Sequence, residues 1–193
     1  MRPPDFMSIE QAVRVLGGEG SNRLFRVLRS ERGLTYAASA DINPMLLAGD
    51  LIAETDTRTE ATAEAVRLIT DEFTRMQRER VGDAELAGVQ AYMTGSFPMS
   101  VETPGAISRQ VVNAVFYDLP LDELRTYRQR ANAVTADDVQ RVARSYIQPE
   151  RLSVVMVGNA AAFRDQLAKA GIGSFETIPL AELDLSAASL RKR

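Results

Sequence analysis

The chain has 193 residues, 45% of them hydrophobic and 25% charged, with a net charge of −3 and a pI near 5.2. This is the balance of a globular protein and argues against a general nucleic-acid-binding surface. Neither His nor Cys occurs, which removes disulfides, cysteine nucleophiles, Ser-His-Asp triads and the usual protein ligands of zinc.

In chain order, Ile9, Ala12, Val13 and Leu16 fall at helical spacing over residues 6–17. Gly17-Gly18-Glu19-Gly20 breaks that rhythm, and Ser21 is placed to cap a second helix with Leu24, Phe25 and Leu28 on one face. Gly33 stands where a left-handed residue ends the helix. Residues 34–40 and 46–54 read as two strands, with the turn-forming Asp41-Ile42-Asn43-Pro44 between them, which predicts an antiparallel hairpin. Thr57-x-x-Glu60 has the form of a capping box opening a long helix. Its Val66, Ile69, Phe73 and Met76 make an apolar stripe, while Arg67, Asp71, Arg75 and Arg78 lie elsewhere. Residues 83–147 read as mostly helical, and Thr135-x-x-Asp138 opens a helix with Val139, Val142, Ala143 and Tyr146 on its apolar side. The β-branched run at 152–157, closed by Gly158, predicts a buried strand. A short helix over 160–170 and a weaker strand over 172–180 complete the pattern.

These elements predict an α+β fold, a mostly antiparallel sheet with helices packed on one face. Residues 1–180 form a single domain in this reading, and residues 181–193, ending in Arg191, Lys192 and Arg193, a solvated tail. The visible strands are few for such a domain, so an N-terminal strand is expected to be missing. No apolar stretch reaches the roughly 20 residues of a membrane helix. The opening Met1-Arg2-Pro3-Pro4-Asp5 also lacks a signal-peptide pattern, so the chain is expected either not to be exported or to be a piece of a longer one.

The stretch from Leu16 to Tyr36, Leu-Gly-Gly-Glu-Gly-Ser-Asn-Arg-Leu-Phe followed by Leu-Arg-Ser-Glu-Arg-Gly-Leu-Thr-Tyr after two residues, resembles the pitrilysin/insulinase family of zinc peptidases. It is similar to the opening of their C-terminal domain. Phe97-Pro98-Met99-Ser100-Val101-Glu102-Thr103-Pro104 resembles the family's G-x-F-x-x-S-x-E-T-P segment. Ala133 to Ala143 resembles its V-T-x-E-D-V-x-R-V-A helix, and residues 152–158 its closing V-V-V-G strand. The four pieces stand in the family's order across residues 8–160. Asn22 departs from the pattern, where the family commonly has a second Ser.

The resemblance implies a domain that faces a second half across a chamber. That N-terminal domain or partner subunit holds zinc through an inverted His-x-x-Glu-His motif and a downstream Glu, with the motif Glu activating the zinc-bound water. It implies no cofactor in this chain, and Arg29 and Tyr36 as the residues that bind substrate near the scissile bond. Peptides or unfolded segments are the implied substrates, within a homo- or hetero-oligomer that is periplasmic or membrane-associated in bacteria. The chemistry is suitable: a phenol OH and a guanidinium are donors for the oxyanion that peptide hydrolysis develops. Taken alone, Arg29 reads as a charge meeting a helix C-terminus and Tyr36 as a half-buried strand aromatic. Gly17 to Ser21 reads as an interhelical turn rather than a phosphate cradle. Arg23 reads as a structural hydrogen-bonding residue, and Arg141 and Arg144 as a solvated face. The alternative function is a non-catalytic scaffold or interaction domain of the same fold.

Overall fold

The computed structural model describes residues 4–18, 22–45 and 47–192. Ser21, expected as a helix cap, and Leu46, expected to open the second strand, lie outside the described residues, as do Glu19, Gly20 and Arg193.

Helix α1 (Phe6–Gly17) buries Ile9, Ala12, Val13 and Leu16 as its spacing requires, and Val15 as well. It is therefore covered on most of its circumference. The fully buried Gln11 donates through Nε2 to the Ala131 carbonyl at 2.7 Å. Gln90 Nε2 donates to the Ala131 and Val134 carbonyls at 3.1 and 2.8 Å. These bonds satisfy carbonyls left over at the end of helix α5 (Asp122–Ala133). At the far end of α1, a Cβ on Gly17 would stand 2.1 Å from the Ala40 backbone nitrogen. Only a glycine lets the first strand cross this closely.

Strands β1 (Ala38–Pro44) and β2 (Gly49–Thr55) form the expected antiparallel hairpin, registered from Ala38 opposite Thr55 to Pro44 opposite Gly49. The hairpin is displaced along the chain from the expected spans. Asp41 to Pro44 continue β1, and the chain reverses only after Pro44, where the Met45 N–H donates to the Ala48 carbonyl at 2.9 Å. Ala38 and Ala40, with Ile42 beside them, pack into the main core at every second position. That face fixes the register against local turn preference. Pro44 sits at the strand end, where a missing N–H costs least.

The remaining helices are α2 (Thr62–Arg78), α3 (Asp83–Ser96), α4 (Pro104–Phe116), α6 (Ala136–Tyr146) and α7 (Ala160–Lys169). The α2 stripe is seated as expected at Phe73 and Met76, with Val66 and Ile69 half-buried. The Thr57 capping box is not formed: a 3₁₀ turn, Thr59–Ala61, precedes α2, and the Thr57 hydroxyl goes elsewhere. The Thr135–Asp138 box is formed, with the Asp138 N–H donating to Thr135 Oγ1 at 3.1 Å and the Thr135 N–H to Asp138 Oδ2 at 3.0 Å.

Two expected strands are corrected. Residues 152–157 carry no regular secondary structure and enter no ladder among the described residues. They are exposed rather than buried, Val155 being 87% and Val157 99% accessible. Residues 172–180 form no strand either, and Ile172 and Phe175 lean on the cluster of Ala63, Phe163 and Leu167. The tail turns back on itself: Arg191 pairs with Glu176 at 2.6 Å and with Glu182 at 3.0 Å. The result is a helix-rich α+β domain whose sheet, among the described residues, is one two-stranded hairpin.

Candidate functional site

The segment bearing Arg29 and Tyr36 is anchored at its start by buried Leu24 and Leu28. Asn22 Oδ1 accepts the Phe25 N–H at 2.7 Å, so the departure from the family pattern acts as a helix-start acceptor. Arg23, 4% exposed, makes a bidentate pair with Glu85, with both N···O distances 2.8 Å. This is the structural role that its position predicts. Burial pushes the Glu85 carboxyl up and is the largest single effect, but the Arg23 bonds and charge, with the Gly82 backbone and Arg26, together hold Glu85 below its ordinary value.

Between these anchors and Gly33 the chain winds as a π-helix, Phe25–Glu31, rather than an α-helix. Such one-turn widenings are rare and recur at functional sites. Arg29 is exposed, and its guanidinium carbon lies 4.8 Å from the centroid of the Phe25 ring, a cation–π stack that orients a long side chain. Gly33 takes φ +60° and ends the helix as expected. Its N–H donates to the Arg29 carbonyl at 3.0 Å, and the Leu34 N–H to the Leu28 carbonyl at 2.8 Å.

Tyr36 follows, 90% exposed and ahead of β1 rather than within it, so the half-buried strand reading fails. Its ring makes no hydrogen bond or ring contact to any described residue. Its backbone surroundings are pinned on both sides. Before it, the Thr57 hydroxyl donates to the Leu34 carbonyl at 2.8 Å and Arg58 Nη1 to the Gly33 carbonyl at 3.2 Å. After it, the hydroxyls of Thr55 and Thr35 donate to the Ala37 carbonyl at 2.9 and 2.7 Å. Leu34 and Thr35 are themselves buried. The structure thus sets both expected residues on the exposed surface on either side of the Gly33 reversal, without direct contact between their side chains. Sequence reasoning assigned none of Thr35, Thr55, Thr57 and Arg58 to this support. Three of the partnerships span 18 to 25 residues and leave no local pattern to read.

Cavities of about 520 and 380 Å³ lie on other faces, and neither is lined by Arg29 or Tyr36. In the larger one Arg14 meets Glu10 at 3.4 Å and Arg130 meets Glu123 at 3.4 Å, and the charge left in the lining is the Asp41 carboxylate. Among the described residues no three Asp or Glu side chains converge, and the sequence has no His or Cys. The donor set does not fit zinc.

Residues 2–93 match the family described as the peptidase M16 inactive domain. An uncharacterised zinc protease of Streptomyces coelicolor is 25% identical over 146 residues, covering 74% of this chain and 31% of the relative. Among solved structures, a peptidase M16 inactive domain from Pseudomonas fluorescens superposes with a TM-score of 0.72 at 25% identity, over 77% of this chain and 36% of that one. Complex III2 from Candida albicans shares the fold at 12% identity and a TM-score of 0.64, over 75% of this chain and 37% of its own. The chain therefore spans about a third of the length of these relatives. The Leu16–Tyr36 motif, the family match over residues 2–93 and the fold shared with solved M16 inactive domains agree in likening this chain to the peptidase M16 inactive domain.

Proposed function

We propose that this domain is the substrate-gripping half of a zinc metallopeptidase, and that Arg29 and Tyr36 contact the substrate near the scissile bond. The single observation that carries the reading is the presentation of Tyr36. A large aromatic 90% exposed, on a backbone held by Thr57, Arg58, Thr55 and Thr35, is a rigid donor with an unused hydroxyl. A tyrosine serving only the core would bury its ring. Arg29, held over Phe25, supplies a permanent charge on the other side of the Gly33 reversal. Both stand on open surface, as half of a shared site would. A zinc-bearing N-terminal domain or partner subunit supplies the metal and the activated water, since this chain lacks the ligands. The two donors then face the carbonyl oxygen as it gains charge, and an unfolded peptide is the natural substrate because its backbone carbonyls are free.

The test mixes this chain with the co-encoded polypeptide that carries His-x-x-Glu-His and assays cleavage of an unstructured peptide. The chain alone is inactive, and the mixture cleaves. Tyr36→Phe and Arg29→Ala each lower kcat/KM by about 10²-fold, the usual cost of losing one oxyanion donor. Full activity in both variants would sink the assignment.

A second reading, a non-catalytic scaffold, is favoured by the fold shared with complex III2 from Candida albicans. It predicts that no polypeptide with His-x-x-Glu-His is encoded beside this one, and that Tyr36→Phe changes nothing but local spectroscopy.

A further inference from the structure

Residues 152–157, Leu-Ser-Val-Val-Met-Val, have the composition of a sheet interior and the environment of a surface. Val155 is 87% and Val157 99% exposed, whereas Leu152 and Val154 are 37% and 48% exposed. Met156 leans on the cluster of Phe163 and Leu167. Met156 alone of the run packs on the helices, and exposure is lower at Leu152 and Val154 than at Val155 and Val157, which follows the two-residue alternation of a strand. No backbone group of the run bonds to the backbone of another described residue. It carries no charge and no proline, the features that normally blunt an exposed edge. A nearly continuous apolar run of this kind belongs to strands covered on both faces.

A second open apolar feature lies nearby along the chain. A groove of about 380 Å³ between α1, α6 and the hairpin is lined by Phe6, Ile9, Val13, Leu51, Val142 and Ile147. The chain leaves that groove at Ile147 and reaches Leu152 through the short turn Pro149–Arg151. The hairpin beside it has two strands, fewer than an independently stable sheet needs.

We propose that residues 152–157 and this groove receive an apolar β-strand of the polypeptide that carries the zinc motif. The strand pairs with the open backbone and lays alternate side chains over α1 and α6. This rests on the functional reading above, in which such a polypeptide exists. The relatives' length argues for this occupant: this chain covers 31% of one and 36% of another, so proteins of that size hold much further polypeptide from which a strand can come. A second copy of the chain fits less well, because its own run would cover the bare valines and leave the α1–α6 groove unfilled.

The test is hydrogen exchange of the residue 152–157 amides, in the chain alone and mixed with the co-encoded His-x-x-Glu-His polypeptide. These amides exchange freely in the chain alone and slow at least tenfold in the mixture. V155K/V157K, at positions already exposed, leaves the melting temperature of the isolated chain unchanged and weakens association at least tenfold. Arg29→Ala and Tyr36→Phe associate as the wild type does and lose cleavage, so association reports on the strand and cleavage on the site. Three results overturn the proposal: association without protection of the run, full association by V155K/V157K, or protection in the isolated chain that grows with its concentration. The last identifies a second copy as the occupant.

Discussion

At the scale of single residues, Gly17 and Gly33 resist one added methyl group for different reasons. Alanine in a helix is ordinarily better than glycine by about 1 kcal/mol, and Gly17 lies inside α1. Yet its Cβ would meet the Ala40 backbone nitrogen at 2.1 Å, an atom that cannot move aside without shifting β1. Collision overrides propensity, and Gly17→Ala should cost more than the roughly 1–3 kcal/mol of ordinary overpacking. At Gly33 a Cβ has open space, nothing lying within 4 Å, so only the φ of +60° resists it. Gly33→Ala should cost about 1–2 kcal/mol, and Gly33→Asn less, because Asn tolerates this region. Chemical denaturation of the three variants orders them. Equal stability of Gly33→Ala and wild type would mean that the turn is not left-handed. The two substitutions also separate packing from display, since Gly33 lies next to the carbonyl that Thr57 holds beneath Tyr36.

At the scale of elements, two capping boxes were legible and only one forms. Thr135 and Asp138 exchange both bonds across the start of α6, with no competing partner for the Thr135 hydroxyl beyond Asp138 itself. Thr135→Ala should therefore lower stability by about 1 kcal/mol, measured as a shift of the denaturation midpoint at constant slope. Thr57→Ala should instead leave α2 intact and loosen the loop under Tyr36, because its hydroxyl is spent on Leu34. The contrast shows what sequence resolves. Periodicity found α1, α2 and α6, whose apolar faces repeat within one element. It misplaced the hairpin turn because Ala38 and Ala40 answer to α1 and not to the turn formers at 41–44. It made residues 152–157 a buried strand because composition records what a segment would pair with, not whether the pair is present. The π-helical winding of Phe25–Glu31 left no periodic signature over one turn. Arg29 and Tyr36 were visible only through their motif, and the hydroxyls that pin them were not visible at all.

At the scale of the whole molecule, the Arg23–Glu85 pair joins the segment that bears the candidate site to α3, 62 residues away in sequence. It is a tether whose strength depends on pH. Burial raises the Glu85 carboxyl, and the Arg23 bonds and charge, with Gly82 and Arg26, together lower it more, so the folded-state value lies below the ordinary 4.5. A depressed carboxyl stabilises the fold above its unfolded value, and that contribution disappears as pH falls through the folded value. The window is thus at and below pH 4.5, and it is shared with surface carboxylates shifted the same way: Asp5 and Glu79 by hydrogen bonds from Arg141 and Arg75, Asp138 by the Thr135 hydroxyl. Denaturation midpoints measured from pH 6 down to 3 should fall for the wild type. The double variant Arg23→Met/Glu85→Gln removes both charges without stranding either one, so it should fall less steeply over the same range. Arg23→Met alone leaves Glu85 half-buried without its partner. Burial, the largest influence on Glu85, then acts without the Arg23 bonds to oppose it, so the variant should lose less stability on acidification than the wild type does. A wild-type slope in the double variant would assign the acid sensitivity to the surface pairs. A shallower slope in both variants would show that the tether under the candidate site carries part of the acid response.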